Sequence, residues 1–329
     1  MQFARKHRVH NFPLGTALIA GLSLITAAHL LTGTARAQAT KPTQNFVAVS
    51  SQEGVTLLEG IRPVLTFQQS VQSQNGRWPR ANYVHPLYDL QGRVLTEDFP
   101  VDHGHHRGVF WAWHQVLVSG QPIGDAWQCK DFTWHVEHVT PSTEASRAVL
   151  HSTALWSSPV LLDQQGAEIP IAREQVLITV HSTHEDYRQI DFEIMIQALV
   201  EDLRIGGSDD EKGYGGFSPR IELNPDQVFR SAQGILEPAK LAIQAGPWVD
   251  ISDEQRGISI FSDPDNPGHP EPWILRRARS MQNAAYPGRN PVAVSKDAPL
   301  RLRYGLVVHE GSLTKERIEE LYAAFSSRQ

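Results

Sequence analysis

A cluster of histidines between residues 101 and 116, VDHGHHRGVFWAWHQV, has the residue types that acid–base chemistry needs. Adjacent imidazoles lower each other's pKa because two neighbouring cations repel, and a neutral imidazole can accept a proton or bind a metal. We therefore predict that His105 and His106 act as the acid and the base of a catalytic site. Arg107 would supply a fixed cation for a carboxylate or a developing oxyanion, and Asp102 would orient a ring nitrogen.

The spacing of the same histidines is also compatible with a metal site. His103 and His105 would point to one side of an extended chain, and His114 or a distant carboxylate would complete a ligand set for a divalent metal. Neither a cysteine ligand nor an H-E-x-x-H helix accompanies this pair, so the pattern is not specific. A third interpretation is that some of these rings only bind backbone groups of their loop.

Four further residues are candidates for contacting a ligand. Trp113 and Trp127 offer flat aromatic faces of the kind on which sugar rings pack, although core packing explains a single tryptophan equally well. Tyr83 and His85 lie on a predicted strand face that would either line a site or face solvent. The ligand predicted from these residues is a small molecule or an oligosaccharide.

A second polar segment, GGSDDEKGYGGFSPRIEL, follows at residues 206–223. It lacks the G-x-x-x-x-G-K-[ST] order and does not lead from a strand into a helix, which argues against a phosphate-binding loop. Its glycines would let backbone approach a ligand, and Lys212 and Arg220 would hold an anionic or carbonyl group. A surface loop without a ligand is the alternative.

The elements that must position these residues are mostly strands. Hydrophobic residues alternate with polar ones along YRQIDFEIMIQAL, and similar segments recur without intervening amphipathic helices, which indicates antiparallel sheets. We predict a mainly β protein, a large antiparallel β-sandwich, with two smaller sandwiches as the alternative. One helix is expected near the C-terminus, where apolar residues follow helical spacing: Ile318, Leu321, Tyr322 and Phe325.

Composition excludes several classes of function. The net charge of -6 is unsuited to nucleic acid, because phosphate binding needs a concentrated basic surface. The single cysteine, Cys129, rules out an internal disulfide.

The first forty residues have the pattern of a secretory signal peptide: basic residues, an apolar run and the small-x-small site Ala35-Arg36-Ala37. We expect a signal peptide at 1–37, a flexible mature N-terminus at 38–45 and a single domain at 46–329. An uncleaved membrane anchor is the alternative. Since no other stretch could span a bilayer, cleavage would give a periplasmic or secreted bacterial protein without a membrane span.

Four segments together resemble a bacterial family of unknown function that is often labelled PmoA-like: YVHPLYDLQGRVLTEDFPVDHGHHRGVFWAW, GDAW, YGGFSPR and RLRYGLVVHEG. In that family the histidine motif usually reads Asp-His-Pro-His-His-Arg-Gly, and Gly104 replaces the proline here. The family's downstream loop commonly reads Lys-Glu-Gly-Gly. Here Lys212 is followed by Gly213 and Tyr214, so a catalytic glutamate of the family has no counterpart after Lys212.

The resemblance implies a galactose-mutarotase-like sandwich and a role among exported sugar-degrading proteins. Methane oxidation, which the family label suggests, is not expected, because the mature chain has no spanning segment. We expect an exported carbohydrate-active enzyme, of epimerase, lyase or hydrolase type, that uses histidine acid–base chemistry. The alternatives are a metal-dependent enzyme or metal-binding protein, and a non-catalytic glycan-binding protein.

Overall fold

Strands are the main secondary structure of the computed structural model, which describes residues 45–222, 224–277 and 280–328. In chain order the strands of this part are β1 (Phe46–Ser50), β2 (Gly54–Glu59), β3 (Arg62–Gln68), β4 (Gln72–Gln74), β5 (Arg77–Arg80), β6 (Tyr83–Leu87), β7 (Val109–Trp113), β8 (Gln115–Val118), β9 (Gln121–Gly124), β10 (Thr133–Thr143), β11 (Arg147–Ser157), β12 (Ala172–His181), β13 (Tyr187–Ala198), β14 (Leu203–Gly206), β15 (Gly215–Ile221), β16 (Val228–Ser231), β17 (Gly234–Leu236), β18 (Trp248–Ser252), β19 (Arg256–Ser262), β20 (Trp273–Ile274), β21 (Ser280–Met281), β22 (Asn283–Ala284), β23 (Val292–Val294) and β24 (Leu300–Glu310). A single helix, α1 (Lys315–Ser326), follows them.

Two large sheets contain most of these strands. The first has seven strands in the order β1-β2-β3-β6-β7-β15-β21, and the second has nine in the order β10-β11-β12-β13-β24-β19-β18-β16-β17. A four-stranded sheet, β23-β14-β8-β9, and two strand pairs complete the described part. Neighbouring strands run antiparallel throughout.

The inner faces of the two large sheets pack against each other. Phe192 of β13 contacts Trp111 of β7 and Phe217 of β15, with ring centroids 6.3 and 5.2 Å apart, and Phe217 stacks on Tyr304 of β24 at 4.6 Å. One continuous core contains residues of both sheets, and the described residues lie in one compact unit. The predicted mainly β antiparallel sandwich is confirmed.

Helix α1 covers the outer face of the nine-stranded sheet. The side chain of Thr314 caps it by accepting a hydrogen bond from the backbone N–H of Arg317 at 3.2 Å. Phe325 packs on Phe261 of β19, and Gly305 of β24 leaves room for it, since a Cβ there would lie 3.1 Å from the Phe325 ring. The predicted C-terminal helix is also confirmed.

Two strand pairings bring the polar segments of the sequence together. Strand β15 pairs with β7 so that Gly215 lies opposite Trp113 and Pro219 lies opposite Val109. The loop before β15 therefore lies beside the end of β7, and the end of β15 lies beside the 102–108 loop. Strands β8 and β9 form a hairpin in which Ser119 and Gly120 have positive φ values of 50° and 75°, as a tight hairpin turn requires.

The predicted signal peptide at 1–37 and all but the last residue of the predicted N-terminal segment 38–45 lie outside the described residues. Within the described ranges, no helix has the length and apolar character needed to cross a membrane.

Candidate functional site

A cavity of about 500 Å³ lies where the two polar segments meet. The segments 102–106 and 208–214 both contribute to its wall, together with the ends of the β8–β9 hairpin and residues near β21. Its lining residues are mostly polar and come from distant parts of the chain: Asp102, His103, His105, His106, His114, Trp127, Gln128, Ser208, Asp210, Lys212, Tyr214, Arg276 and Met281.

His114 lines this cavity and is held by a carboxylate. Its Nδ1 lies 2.9 Å from Oδ2 of Asp125, which follows β9 and is brought beside His114 by the β8–β9 hairpin. A carboxylate can only accept, so Nδ1 carries the hydrogen and the lone pair of a neutral ring is on Nε2. This is the arrangement in which a carboxylate fixes the tautomer of a base and stabilises the imidazolium that forms.

His106 is held in the opposite tautomer. The guanidinium of Arg220 donates from Nη1 to Nδ1 of His106 at 3.0 Å, and because arginine has only donors, the hydrogen of the neutral ring is on Nε2. Burial, followed by the neighbouring His105 and Arg220, holds the pKa of His106 far below its ordinary value. His106 can therefore donate a hydrogen bond to a ligand, but it has no free lone pair with which to act as a base.

His105 is also neutral at pH 7. Burial, followed by the charge of His103, lowers the pKa of His105 to about 4. Its ring packs edge-on against His106 with centroids 4.5 Å apart, and it has no hydrogen-bond partner within the described part of the chain. At pH 7 the ring holds no imidazolium proton, and the acid role that the sequence suggested for one of these two histidines stays a prediction.

Arg220, predicted to bind substrate, instead lies behind the histidine loop. It is fully buried and donates to Glu97 at 2.8 Å and to Asp102 at 2.9 Å, besides its bond to His106. Asp102 in turn accepts from Nδ1 of His103 at 2.9 Å. Arg220 therefore fixes the loop that carries the histidines and does not line the cavity.

The three predicted metal ligands, His103, His105 and His114, all line the cavity. The ring centroids of His103 and His105 are 5.7 Å apart, and Nδ1 of His114 is engaged by Asp125. Among residues 45–222, 224–277 and 280–328, no group of three or more histidine, cysteine or acidic side chains is placed so that it could hold a metal ion. A metal at this site stays a prediction.

Arg107 and Tyr83 lie elsewhere. Arg107 is fully buried, forms an ion pair with Asp98, donates to the hydroxyl of Tyr83 and donates to the backbone oxygen of Trp78 at 3.0 Å. Neither residue lines the cavity. A cation with all these partners stabilises the fold around it, and the structure does not bring it to the predicted site.

His85 and Trp113 are likewise absent from the cavity wall. Nδ1 of His85 lies 3.0 Å from the hydroxyl of Thr96, and Nε1 of Trp113 donates to the carbonyl of Tyr286 at 2.9 Å within the core. Of the residues predicted to contact substrate, only Trp127 and Lys212 line the cavity.

Trp127 forms the aromatic part of the wall. Its ring stacks on His114 with centroids 5.4 Å apart and contacts Tyr214 at 5.8 Å. Only 2% of Trp127 is exposed, so the indole is a well-packed side chain that presents little surface to the cavity.

Tyr214 is a site residue that sequence reasoning missed. Its hydroxyl accepts a hydrogen bond from Nη2 of Arg276 at 2.6 Å, and Nζ of Lys212 lies 5.6 Å from its ring centroid. Arg276 also donates to the backbone oxygens of Ala239 and Lys240, and it pairs with no carboxylate among the described residues. No spacing in the sequence links residues 214 and 276, so neither could be found there.

Asp125 was missed as well, but the sequence contains a signal for it. The Ser119-Gly120 turn predicts a hairpin, and a hairpin around that turn places residues near 114 and 125 side by side.

A family model matches residues 54–323, most of the chain. The chain belongs to this family of unknown function, DUF6807. The PmoA-like label suggested by the sequence motifs is not confirmed by the match. No curated protein matches this DUF6807 member.

Two solved structures are similar to this DUF6807 chain at low identity. A heparan sulfate lyase HepC mutant from Pedobacter heparinus has a TM-score of 0.33 and 9% identity over 82% of this chain and 35% of the lyase, so the chain spans about a third of that protein. YeaD from Salmonella typhimurium, a proposed mutarotase, has a TM-score of 0.36 and 10% identity over 82% of this chain and 95% of that chain.

Proposed function

We propose that this protein is an enzyme that moves protons on a sugar or sugar derivative bound in the cavity. The observation that carries the proposal is that His114 lies on the cavity wall and its Nδ1 is held by Asp125. His114 is a base whose tautomer is fixed by Asp125 and whose Nε2 has no hydrogen-bond partner among the described residues. His105 and His106 are neutral rings that no carboxylate holds. His114, which the sequence suggested as a metal ligand, takes the role of base.

The rest of the wall suits a polar ring-shaped ligand. A volume of about 500 Å³ is typical of small-molecule sites. Trp127 offers an apolar contact, and His106 Nε2–H and Lys212 offer hydrogen bonds to hydroxyl or carbonyl oxygens. General acid–base catalysis contributes about 10²–10⁴-fold in rate, and removing the base should cost that much.

The test compares wild-type protein with His114→Asn and Asp125→Asn. Each is incubated in D2O with glucose, galactose, their uronic acids and their methyl glycosides, and ¹H NMR follows anomer exchange, exchange of carbon-bound hydrogen, and cleavage. We expect wild-type turnover of at least one compound and a loss of about 10²–10⁴-fold in both variants. His135→Asn is the matched control, because His135 also pairs with an acid, Glu168, but lies outside the cavity.

Full turnover by His114→Asn would refute the proposal, as would wild-type protein that acts on none of these compounds. Binding without turnover would favour the alternative of a non-catalytic glycan-binding protein.

We also propose that the protein is exported, with its signal peptide removed after Ala37. This rests on the sequence pattern of residues 1–37 alone.

A further inference from the structure

The proton removed by a base must be matched by a proton delivered to the substrate, and the cavity contains a second group suited to that task. Tyr214 lines the same wall as His114, and each ring packs against Trp127. The oxygen of Tyr214 accepts from Arg276, so its own hydrogen is left to point elsewhere. No acceptor for that hydrogen occurs in the described part of the chain.

Two cations lie beside the Tyr214 ring, Arg276 at its oxygen and Lys212 near its face. Arg276 is held by the backbone oxygens of Ala239, Lys240 and Leu275, which fix the guanidinium without neutralising its charge. The second cation, Lys212, lies 5.6 Å from the ring centroid and pairs with Asp210 at 3.8 Å. A hydrogen bond from a charged donor is stronger than a neutral one, and it strengthens further as the phenol becomes a phenolate.

We propose that Tyr214 is the proton donor that complements His114, and that Arg276 positions Tyr214 and stabilises its phenolate. This rests on the proposed function. Nε2 of His114 would take a proton from an O–H or acidic C–H bond of the substrate. The electron pair of that bond would form a C=O or C=C bond, respectively, as the neighbouring C–O bond breaks. The released oxygen would take the proton of Tyr214, so that the substrate gains and loses one proton. Re-closure of the C–O bond would reset both side chains by the reverse transfer, and after a cleavage His114 would lose its proton to water while Tyr214 regains one from water.

The first arm of the test needs no substrate. Tetranitromethane nitrates tyrosine through the phenolate, and mass spectrometry of peptides gives the nitration rate of each tyrosine at pH 8. We expect Tyr214 to react at least about tenfold faster than Tyr322. Burial, followed by Asp263 and Glu271, raises the pKa of the similarly half-buried Tyr322 to about 12, which makes it the internal control.

Arg276→Met should slow nitration of Tyr214 by about tenfold, and Arg276→Lys, which keeps the charge, should restore part of the rate. Arg276 also donates to backbone oxygens, so its replacement could disturb the local fold. Lys212→Met is a second variant that leaves those hydrogen bonds in place, and it should slow nitration of Tyr214 by a smaller factor. The proposal would be overturned if Tyr214 nitrated no faster than Tyr322. It would also be overturned if substitution of neither Arg276 nor Lys212 changed the nitration rate of Tyr214.

The second arm measures turnover of Tyr214→Phe on the substrate found for the wild type, with Tyr88→Phe as the control outside the cavity. We expect a loss of about 10²-fold or more in kcat for Tyr214→Phe and an unchanged Tyr88→Phe. If Tyr214→Phe keeps full turnover while His114→Asn loses it, the donor role is wrong and the proposed function stands. Full turnover by His114→Asn refutes the proposed function instead, and leaves the nitration result as a separate finding.

Discussion

Histidines that are close in sequence have different chemical states here because their partners differ. His106 accepts from Arg220, His105 is buried without a partner among the described residues, and His114 donates to Asp125. The motif alone identified a segment that lines the cavity, but it could not show which nitrogen of each ring carries the hydrogen. That distinction depends on residues more than ten positions away in the chain.

The buried histidines should make stability depend on pH. The pKa of His105 in the folded protein, about 4, is below its ordinary value of 6.5, so the unfolded chain binds the proton first as the pH falls. The free energy of unfolding therefore decreases as the pH drops from about 6.5 towards 4. Between pH 7 and pH 5, the wild type should lose about 1–2 kcal/mol more than His105→Gln in urea denaturation. Parallel pH dependences for the two proteins would contradict this assignment.

Strand patterns predicted the sandwich, but not the polar contact that crosses it. Glu174 of β12 is fully buried and accepts hydrogen bonds from the indole of Trp111 on the opposite sheet, from Trp156 at 2.6 Å and from Asn82 at 2.8 Å. Alternation correctly places position 174 on the inner face, where a hydrophobic residue would be expected. Only the three donors explain why an acid occupies it.

Glu174→Gln should destabilise the protein in a pH-dependent way. Burial raises the pKa of Glu174 to about 7, above its ordinary value of 4.5, so its contribution to stability is present at low pH and is lost as the pH rises through 7. In the variant, the NH2 group of the glutamine would face an N–H donor that the carboxyl group accepts from. This should lower the free energy of unfolding by about 1–3 kcal/mol at pH 5. We expect this cost to shrink at pH 8, as measured by urea denaturation.

The matched control for that experiment is Arg173→Gln, an exposed change on the same strand, which should alter stability by less than about 0.5 kcal/mol. A penalty for Glu174→Gln that grows with pH would contradict the assigned protonation state.

At the scale of the whole molecule, the cavity is assembled from four separate parts of the chain. The sequence could identify the 102–106 and 208–214 segments because each is dense in polar residues and glycine. It could not identify Arg276, which sits in an ordinary arginine-containing segment and reaches Tyr214 only through the fold. The sequence also could not show that Arg107 lies away from the cavity, since a buried arginine paired with Asp98 and an arginine that lines a site look the same in sequence.

The proposed export gives a prediction for the 329-residue chain. Produced in a bacterium with a general secretion pathway, the protein should be recovered outside the cytoplasm with Gln38 as its first residue, as shown by intact mass spectrometry. Ala37→Asp should block cleavage while the apolar run is kept. A chain that retains Met1 and fractionates with the membrane would instead support the uncleaved anchor.

The packing of Trp127 between the rings of His114 and Tyr214 gives the protein an internal optical signal. Indole emission responds to nearby imidazolium charge and to displaced water, so protonation of His114 and arrival of a ligand would both alter the fluorescence of this one side chain. The difference spectrum between wild type and Trp127→Phe isolates it from the other seven tryptophans. Ligands of this protein can therefore be screened by fluorescence, without an assay for turnover.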